Sequence, residues 1–174
     1  MKSKQLLFVI LLLIFILPGL SAYWLYQHPN WLSGATSNKG HLLAPPVFLK
    51  TLPKTSKWGL LVWNPGPCEK TCQEYLTTIK QIRLALGRRF YEVNLWLGTQ
   101  TKTNFLFPKT MRLLQMQGIT PWVVNTRELS VLGNKPQLFI VDPKNYLVLS
   151  YSATVNPAHI YSDLQRIMNL QRSL

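Results

Sequence analysis

Acidic side chains are scarce. Only 6 Asp and Glu stand against 19 Lys and Arg in 174 residues, a formal charge of +13 with histidines neutral. Cysteine occurs twice, at Cys68 and Cys72, which excludes a four-thiolate zinc site and a multi-disulfide scaffold within one chain. Histidine occurs three times, at positions 28, 41 and 159. Charged residues make up 14% of the chain and hydrophobic residues 47%, so a wholly disordered, solvated chain is excluded and apolar surface must be buried in a core or in lipid. The length excludes a string of domains, because one domain typically takes about 100–200 residues. No internal repeat or low-complexity tract occurs, and no recognised nucleic-acid motif accompanies the positive charge, so the sequence implies no nucleic-acid partner.

A long apolar run opens the chain. After Lys2 and Lys4, residues 5–27 carry no charge, and Leu6 to Tyr26 is mostly Leu, Ile, Phe and Val. Twenty-one such residues make a helix about 31 Å long, enough for a hydrocarbon core of about 30 Å. Residues 5–26 are therefore expected to be a transmembrane anchor, with Pro18 kinking the helix at most. The two lysines of the leading tail, residues 1–4, favour a cytoplasmic N-terminus, and Tyr23, Trp24, Tyr26 and Trp31 mark an interfacial belt on the far side. The alternative is a cleaved signal peptide ending near Ala22. Leu20 is bulky for the position three before that cut, and the apolar run continues past it, so the anchor is the stronger reading. The exported remainder carries 17 basic and 6 acidic residues, a charge of +11 suited to lying beside anionic headgroups.

Residues 27–57 are punctuated by Pro29, Gly34, Gly40, Pro45-Pro46 and Pro53 without helical period, and read as a linker. A domain over 58–174 follows. Trp58–Trp63 is a short continuous apolar run, the pattern of a strand buried on both faces. Between Cys68 and Gly87 the apolar residues Tyr75, Leu76, Ile79, Ile82 and Leu86 recur at helical spacing. Phe90–Leu97 reads as a second strand, Gly98–Pro108 as a polar excursion, Lys109–Gln117 as a short helix and Pro121–Val124 as a short strand. Ser130 to Asn134 reads as a turn, and Gln137–Val141 and Tyr146–Tyr151 as hairpin strands joined at Asp142-Pro143-Lys144-Asn145. Asn156-Pro157 caps a last helix striped by Ile160, Leu164, Ile167 and Met168. The four tryptophans from Trp58 to Trp122 are expected in the core or at its rim, and Glu69 and Glu74 in solvent.

Chemistry concentrates at Cys68-Glu69-Lys70-Thr71-Cys72. A strand, a proline-rich turn and a helix place the first thiol at a helix N-terminus, where the partial positive charge favours thiolate. Cys72 lies one turn on, on the same face, with alpha carbons about 6 Å apart, inside the disulfide window of about 4.4–6.8 Å. Three readings follow: a redox-active pair with Cys68 the more exposed attacking thiol, a two-thiolate grip on one soft ion such as Cu(I), or a static disulfide.

The N-terminal anchor, the Gly66-Pro67-Cys68-x₃-Cys72 pattern after an apolar strand, and the strand-turn-strand-helix from Pro136 onward resemble the thioredoxin-fold superfamily and, within it, the Sco/SenC proteins. The resemblance covers roughly residues 45–170. It implies a thioredoxin-like α/β domain, a mixed sheet flanked by helices and preceded by one N-terminal transmembrane helix. It also implies a membrane-tethered thiol-disulfide or Cu(I)-handling factor in cytochrome c oxidase biogenesis, with copper as the ion and oxidase subunits as partners. The chain would then sit in the inner (cytoplasmic) membrane with its soluble domain on the periplasmic side. Catalytic and metal roles fall on Cys68 and Cys72. Where the family has a proline after the second cysteine, Gln73 stands; where it has a copper-binding histidine, counting back from Pro143 reaches Asn134, which is expected nearer the sulfurs than any histidine. The resemblance further implies a cis Lys135-Pro136 bond facing Cys68, with Lys135 and Pro136 pairing to an extended partner peptide. A general exported thiol-disulfide oxidoreductase and a non-catalytic assembly subunit with a structural disulfide are the alternatives.

Overall fold

A computed structural model describes residues 2–28, 38–100, 108–124, 126–152 and 154–172. The chain divides into two compact units, residues 1–37 and 38–174.

The first unit is helix α1, Lys2–Gln27, which runs unbroken through Pro18. Within it, Leu7–Gln27 is long and apolar enough to cross a membrane. Leucine, isoleucine and phenylalanine are exposed all round it, up to 79% at Phe15, a surface that suits lipid far better than water. The Ser21 hydroxyl donates to the Pro18 carbonyl at 2.9 Å. At its end the Trp24 and His28 rings stack at 4.6 Å, beside exposed Tyr23 and Tyr26; Trp31 lies outside the described residues.

The second unit is built on a six-stranded mixed sheet in the order β1-β6-β5-β2-β3-β4. Its elements are β1 (His41–Phe48), β2 (Trp58–Trp63), α2 (Lys70–Ala85), a 3₁₀ helix (Gly87–Glu92), β3 (Val93–Thr99), α3 (Pro108–Gln117), β4 (Ile119–Val123), α4 (Thr126–Leu132), β5 (Gln137–Val141), β6 (Tyr146–Tyr151) and α5 (Pro157–Arg172). Strands β2, β3 and β4 run parallel, whereas β5 is antiparallel to β2, and β6 and β1 continue antiparallel. The central β2 is buried on both faces, as its unbroken apolar run requires. Leu60 and Val62 face a core formed with Cys72, Tyr75, Leu76, Ile79 and Ile82 of α2 and with Ile160, Leu164 and Met168 of α5. Leu61 and Trp63 face a second core with Trp96, Trp122, Phe139 and Leu132. Gly59 has to be glycine here, because a Cβ would run into the Trp96 ring.

Residues 38–57 correct the expected linker. His41–Phe48 pairs with β6 as an edge strand, and Leu49 and Leu52 are buried in the second core. Buried polar groups hold this segment down at both ends. At its start the amides of Lys39 and Gly40 and the hydroxyl of Tyr151 all donate to Oδ2 of Asp163, at 2.8, 2.8 and 2.9 Å. At its finish the Thr51 amide and hydroxyl donate to the Glu128 carboxylate, and the Asn145 side chain donates to the Leu52 carbonyl at 2.8 Å. Pro45 and Pro46 sit in β1 where its register with β6 shifts, and Pro121 sits in β4, so prolines occupy both edges of the sheet and neither centre.

Three smaller corrections concern boundaries. The strand expected from Phe90 begins at Val93, because Gly87–Glu92 coils as a 3₁₀ helix. The turn expected over residues 130–134 begins only after Leu132, because Thr126–Leu132 is helix α4, whose seven residues are too few to show a period. Helix α2 begins at Lys70, with Glu69 rather than Cys68 at its N-cap. The polar excursion from Gly98 falls partly outside the described residues.

Candidate active site

Strand β2 ends at Trp63, and the chain turns through Asn64-Pro65-Gly66-Pro67 before Cys68. Asn64 is buried and braces this turn. Its side-chain nitrogen donates to the carbonyls of Gly66 at 2.7 Å and Pro67 at 3.1 Å, and its amide donates to Gly98 at the end of β3 at 2.9 Å. Cys68 follows, half-buried, and Cys72 is the third residue of α2, with 1% exposure. The two are joined by a disulfide with alpha carbons 5.1 Å apart. Both cysteines therefore stand at the start of α2, with Cys68 the more exposed, as the sequence predicts.

The electrostatics follow from the helix start. Glu69 caps α2 without a side-chain hydrogen bond, and its own amide donates to the Pro67 carbonyl at 2.9 Å. The first-turn amides are therefore not quenched by a capping side chain, and their partial positive charge lies next to Cys68. Glu69 and Glu74 are exposed, as expected. Three residues after Cys72, on the buried face of α2, Tyr75 is 6% exposed, and burial pushes its hydroxyl above the ordinary tyrosine pKa of 10.0.

The connection from α4 to β5 borders the cysteine turn. Gln137 pairs with Trp63, and the indole nitrogen of Trp63 donates to the Gly133 carbonyl at 2.8 Å. Gly133 takes a φ of +72°, a left-handed conformation that glycine adopts without strain. Asn134 and Lys135 are exposed and Pro136 is half-buried in this connection, next to the strand that delivers Cys68. The Lys135-Pro136 bond is trans; the cis bond among the described residues is Ala44-Pro45. The cis expectation is thus corrected. Pro136 directly precedes β5, where its missing donor costs no ladder bond in either isomer.

The structure brings no histidine into this arrangement. His41 starts β1, three strands along the sheet from β2, and His159 is exposed in the first turn of α5. Among the described residues no group of three or more His, Cys, Asp and Glu is placed to hold a metal ion. Once reduced, the two sulfurs could hold a soft monovalent ion as a two-thiolate set, with no third ligand of those types beside them among the described residues.

The cysteine pair is legible in the sequence; the buried side chains of Asn64 and Tyr75 are not. Asn64 was legible only as part of a strand stop; an Asn directly before Pro-Gly-Pro is the signal for a side chain that bonds its own turn. Tyr75 was legible only as one member of an apolar stripe.

Residues 58–171 match the family model described as transmembrane-like, thioredoxin-like, C-terminal domain. No curated protein matches the sequence. Among solved structures, apo Sco1 from Thermus thermophilus aligns with a TM-score of 0.56 at 15% identity, over 75% of this chain and 97% of that one. ScoI from Arabidopsis thaliana, solved with copper bound, aligns with a TM-score of 0.54 at 8% identity, over 67% and 87%. At such identities the likeness establishes the fold. With its thioredoxin-like sheet, its cysteine pair at the head of α2 and a preceding helix able to span a membrane, the chain belongs to the transmembrane-like, thioredoxin-like, C-terminal domain family.

Proposed function

We propose that this protein is a membrane-tethered thiol-disulfide or Cu(I)-handling factor acting in cytochrome c oxidase biogenesis. It is anchored in the inner membrane by the first helix, with the thioredoxin-like domain on the exported side. The carrying observation is the asymmetric disulfide, with a half-buried Cys68 at an uncapped helix start bonded to a fully buried Cys72. An incoming thiolate reaches the Cys68 sulfur and not the Cys72 sulfur. Attack there breaks the Cys68–Cys72 bond, forms a mixed disulfide on Cys68 and releases Cys72 as the thiolate. Attack by Cys72 on the mixed disulfide reverses that step, whereas attack by a second partner thiolate on the partner's own sulfur forms the partner's disulfide and leaves both cysteines reduced. The reduced pair then presents two soft sulfurs to Cu(I) as cargo, with any further ligand coming from the recipient.

The direction toward copper and the oxidase rests on the sequence resemblance to Sco/SenC proteins, and the shared fold of the two Sco structures supplies a scaffold consistent with it. Lys2 and Lys4 favour the stated orientation. Lys135 and Pro136 border the cysteine turn and remain the proposed partner contact, without the cis-proline mechanism. The test is the reduction potential of the full-length protein in detergent micelles, followed by Cu(I) titration of the reduced form against a chelator. A potential above about −300 mV with 1:1 Cu(I) binding lost in C68S and C72S is expected; a potential below that value marks a structural bond and refutes the proposal.

A further inference from the structure

Tyr75 stands three residues after Cys72 on the buried face of α2, with 6% exposure, and its hydroxyl has no hydrogen-bond partner. A buried hydroxyl without a partner is costly, and native structures rarely tolerate one without a reason. Side chains on a helix lean toward its N-terminus, and residues three apart are neighbours, so the Tyr75 side chain leans toward the turn that carries Cys72. A cleft of about 40 Å³ lined by Thr71, Glu74, Tyr75, Thr78, Val155 and Ile160 adjoins the residue, so its side chain is not close-packed on every side. Burial also keeps the phenol protonated, hence a donor. In the oxidised chain the Cys72 sulfur is bonded to Cys68 and no sulfur lies within hydrogen-bonding reach of the hydroxyl.

We propose that in the reduced protein the Tyr75 hydroxyl donates a hydrogen bond to the freed Cys72 sulfur and thereby shifts the pair toward the dithiol. The inference rests on the reading that the pair cycles. In the step concerned, a partner dithiol loses two electrons and two protons and closes into its own disulfide. The Cys68–Cys72 bond takes up both electrons and both protons and opens to two thiols. The hydroxyl, idle before the step, has an acceptor after it.

A hydrogen bond of ordinary net strength changes an equilibrium constant about three- to tenfold, and tenfold in this two-electron couple is about 30 mV. The experiment equilibrates full-length protein in detergent micelles with a dithiothreitol redox buffer and compares wild type, Y75F and Y161F. Tyr161 serves as control because its hydroxyl is already engaged, accepting from Gln165 at 2.6 Å. Y75F is expected to lower the constant for reduction about three- to tenfold while Y161F leaves it unchanged. An unchanged constant in Y75F overturns the proposal, and so does an equal fall in both variants. A merely structural ring would alter unfolding midpoints without moving this constant. Should Y75F fail to fold, the reduced-minus-oxidised infrared spectrum of the wild type decides: a shift of the tyrosine C–O band supports the bond and its absence refutes it. A wild-type constant as low as that of structural disulfides would defeat the functional reading, yet the comparison of variants would still be readable.

Discussion

Replacing Asp163 with alanine should detach the front of the domain from its last helix. Asp163 is 2% exposed, and one of its carboxylate oxygens takes three donors: the amides of Lys39 and Gly40 and the hydroxyl of Tyr151. Hydrogen bonds to a charged group each contribute about 1.5–3 kcal/mol net, and a buried group left unpaired costs about 1–3 kcal/mol. The three bonds are not additive. The two amides lie at the segment's entry and can regain water if residues 38–42 fray. The hydroxyl of Tyr151, a residue 3% exposed, cannot. A floor of about 1–3 kcal/mol therefore comes from Tyr151 alone, and a total loss of about 3–5 kcal/mol is expected once the edge strand loosens. Urea unfolding of the full-length protein in micelles measures the loss, and hydrogen exchange locates it at residues 39–48. The double variant D163A/Y151F removes the stranded hydroxyl and should recover about 1–2 kcal/mol relative to D163A. A loss below about 1 kcal/mol, or no recovery in the double variant, would refute the claim that this carboxylate holds the edge strand.

Asn64→Ala removes the two side-chain bonds that set the cysteine turn and should destabilise the domain by about 1–3 kcal/mol; in the reduced protein it should also raise the rate at which Cys68 is alkylated, measured by mass spectrometry over time. Stability should fall in alkali. Tyr151 is raised above its ordinary value of 10.0 by burial first and by the Asp163 charge and hydrogen bond next, and Tyr75 is raised by burial. Both remain protonated in the folded chain at a pH where the unfolded chain ionises. Their contribution is therefore complete below pH about 10 and is lost progressively above it, and Y151F should flatten that decline in urea titrations from pH 9 to 11.5.

Elements whose fate is decided by their own side chains were legible in the sequence. Trp58–Trp63 could only be a doubly buried strand, and the Tyr75-to-Leu86 stripe could only be a helix with one buried face. The hairpin announced itself at Asp142, whose carboxylate accepts the amides of Lys144 and Tyr146 at 2.8 and 2.7 Å. Strand β1 was illegible for the opposite reason. Its side chains are mostly exposed and it contains two prolines, while the groups that seat its segment, Asp163, Glu128 and Asn145, come from about 75 to 125 positions later. Two of the chain's six acids are consumed in that role, so their scarcity was a clue to structure that composition alone does not decode. At the site, the cysteine spacing was sufficient to find the pair. The brace from Asn64 and the idle hydroxyl of Tyr75 were not, since both depend on what each side chain meets after folding.

A protein tethered by a helix such as Leu7–Gln27 would meet its own copies in two dimensions, at frequent side-on encounters. An open sheet in that setting is exposed to a particular hazard, because each outer strand offers a row of amides that a second sheet can copy. Here the consecutive Pro45 and Pro46 leave a gap in that row at the β1 border, where no N–H exists. Copies that meet edge to edge therefore find an interrupted row of donors rather than a continuous template for strand pairing.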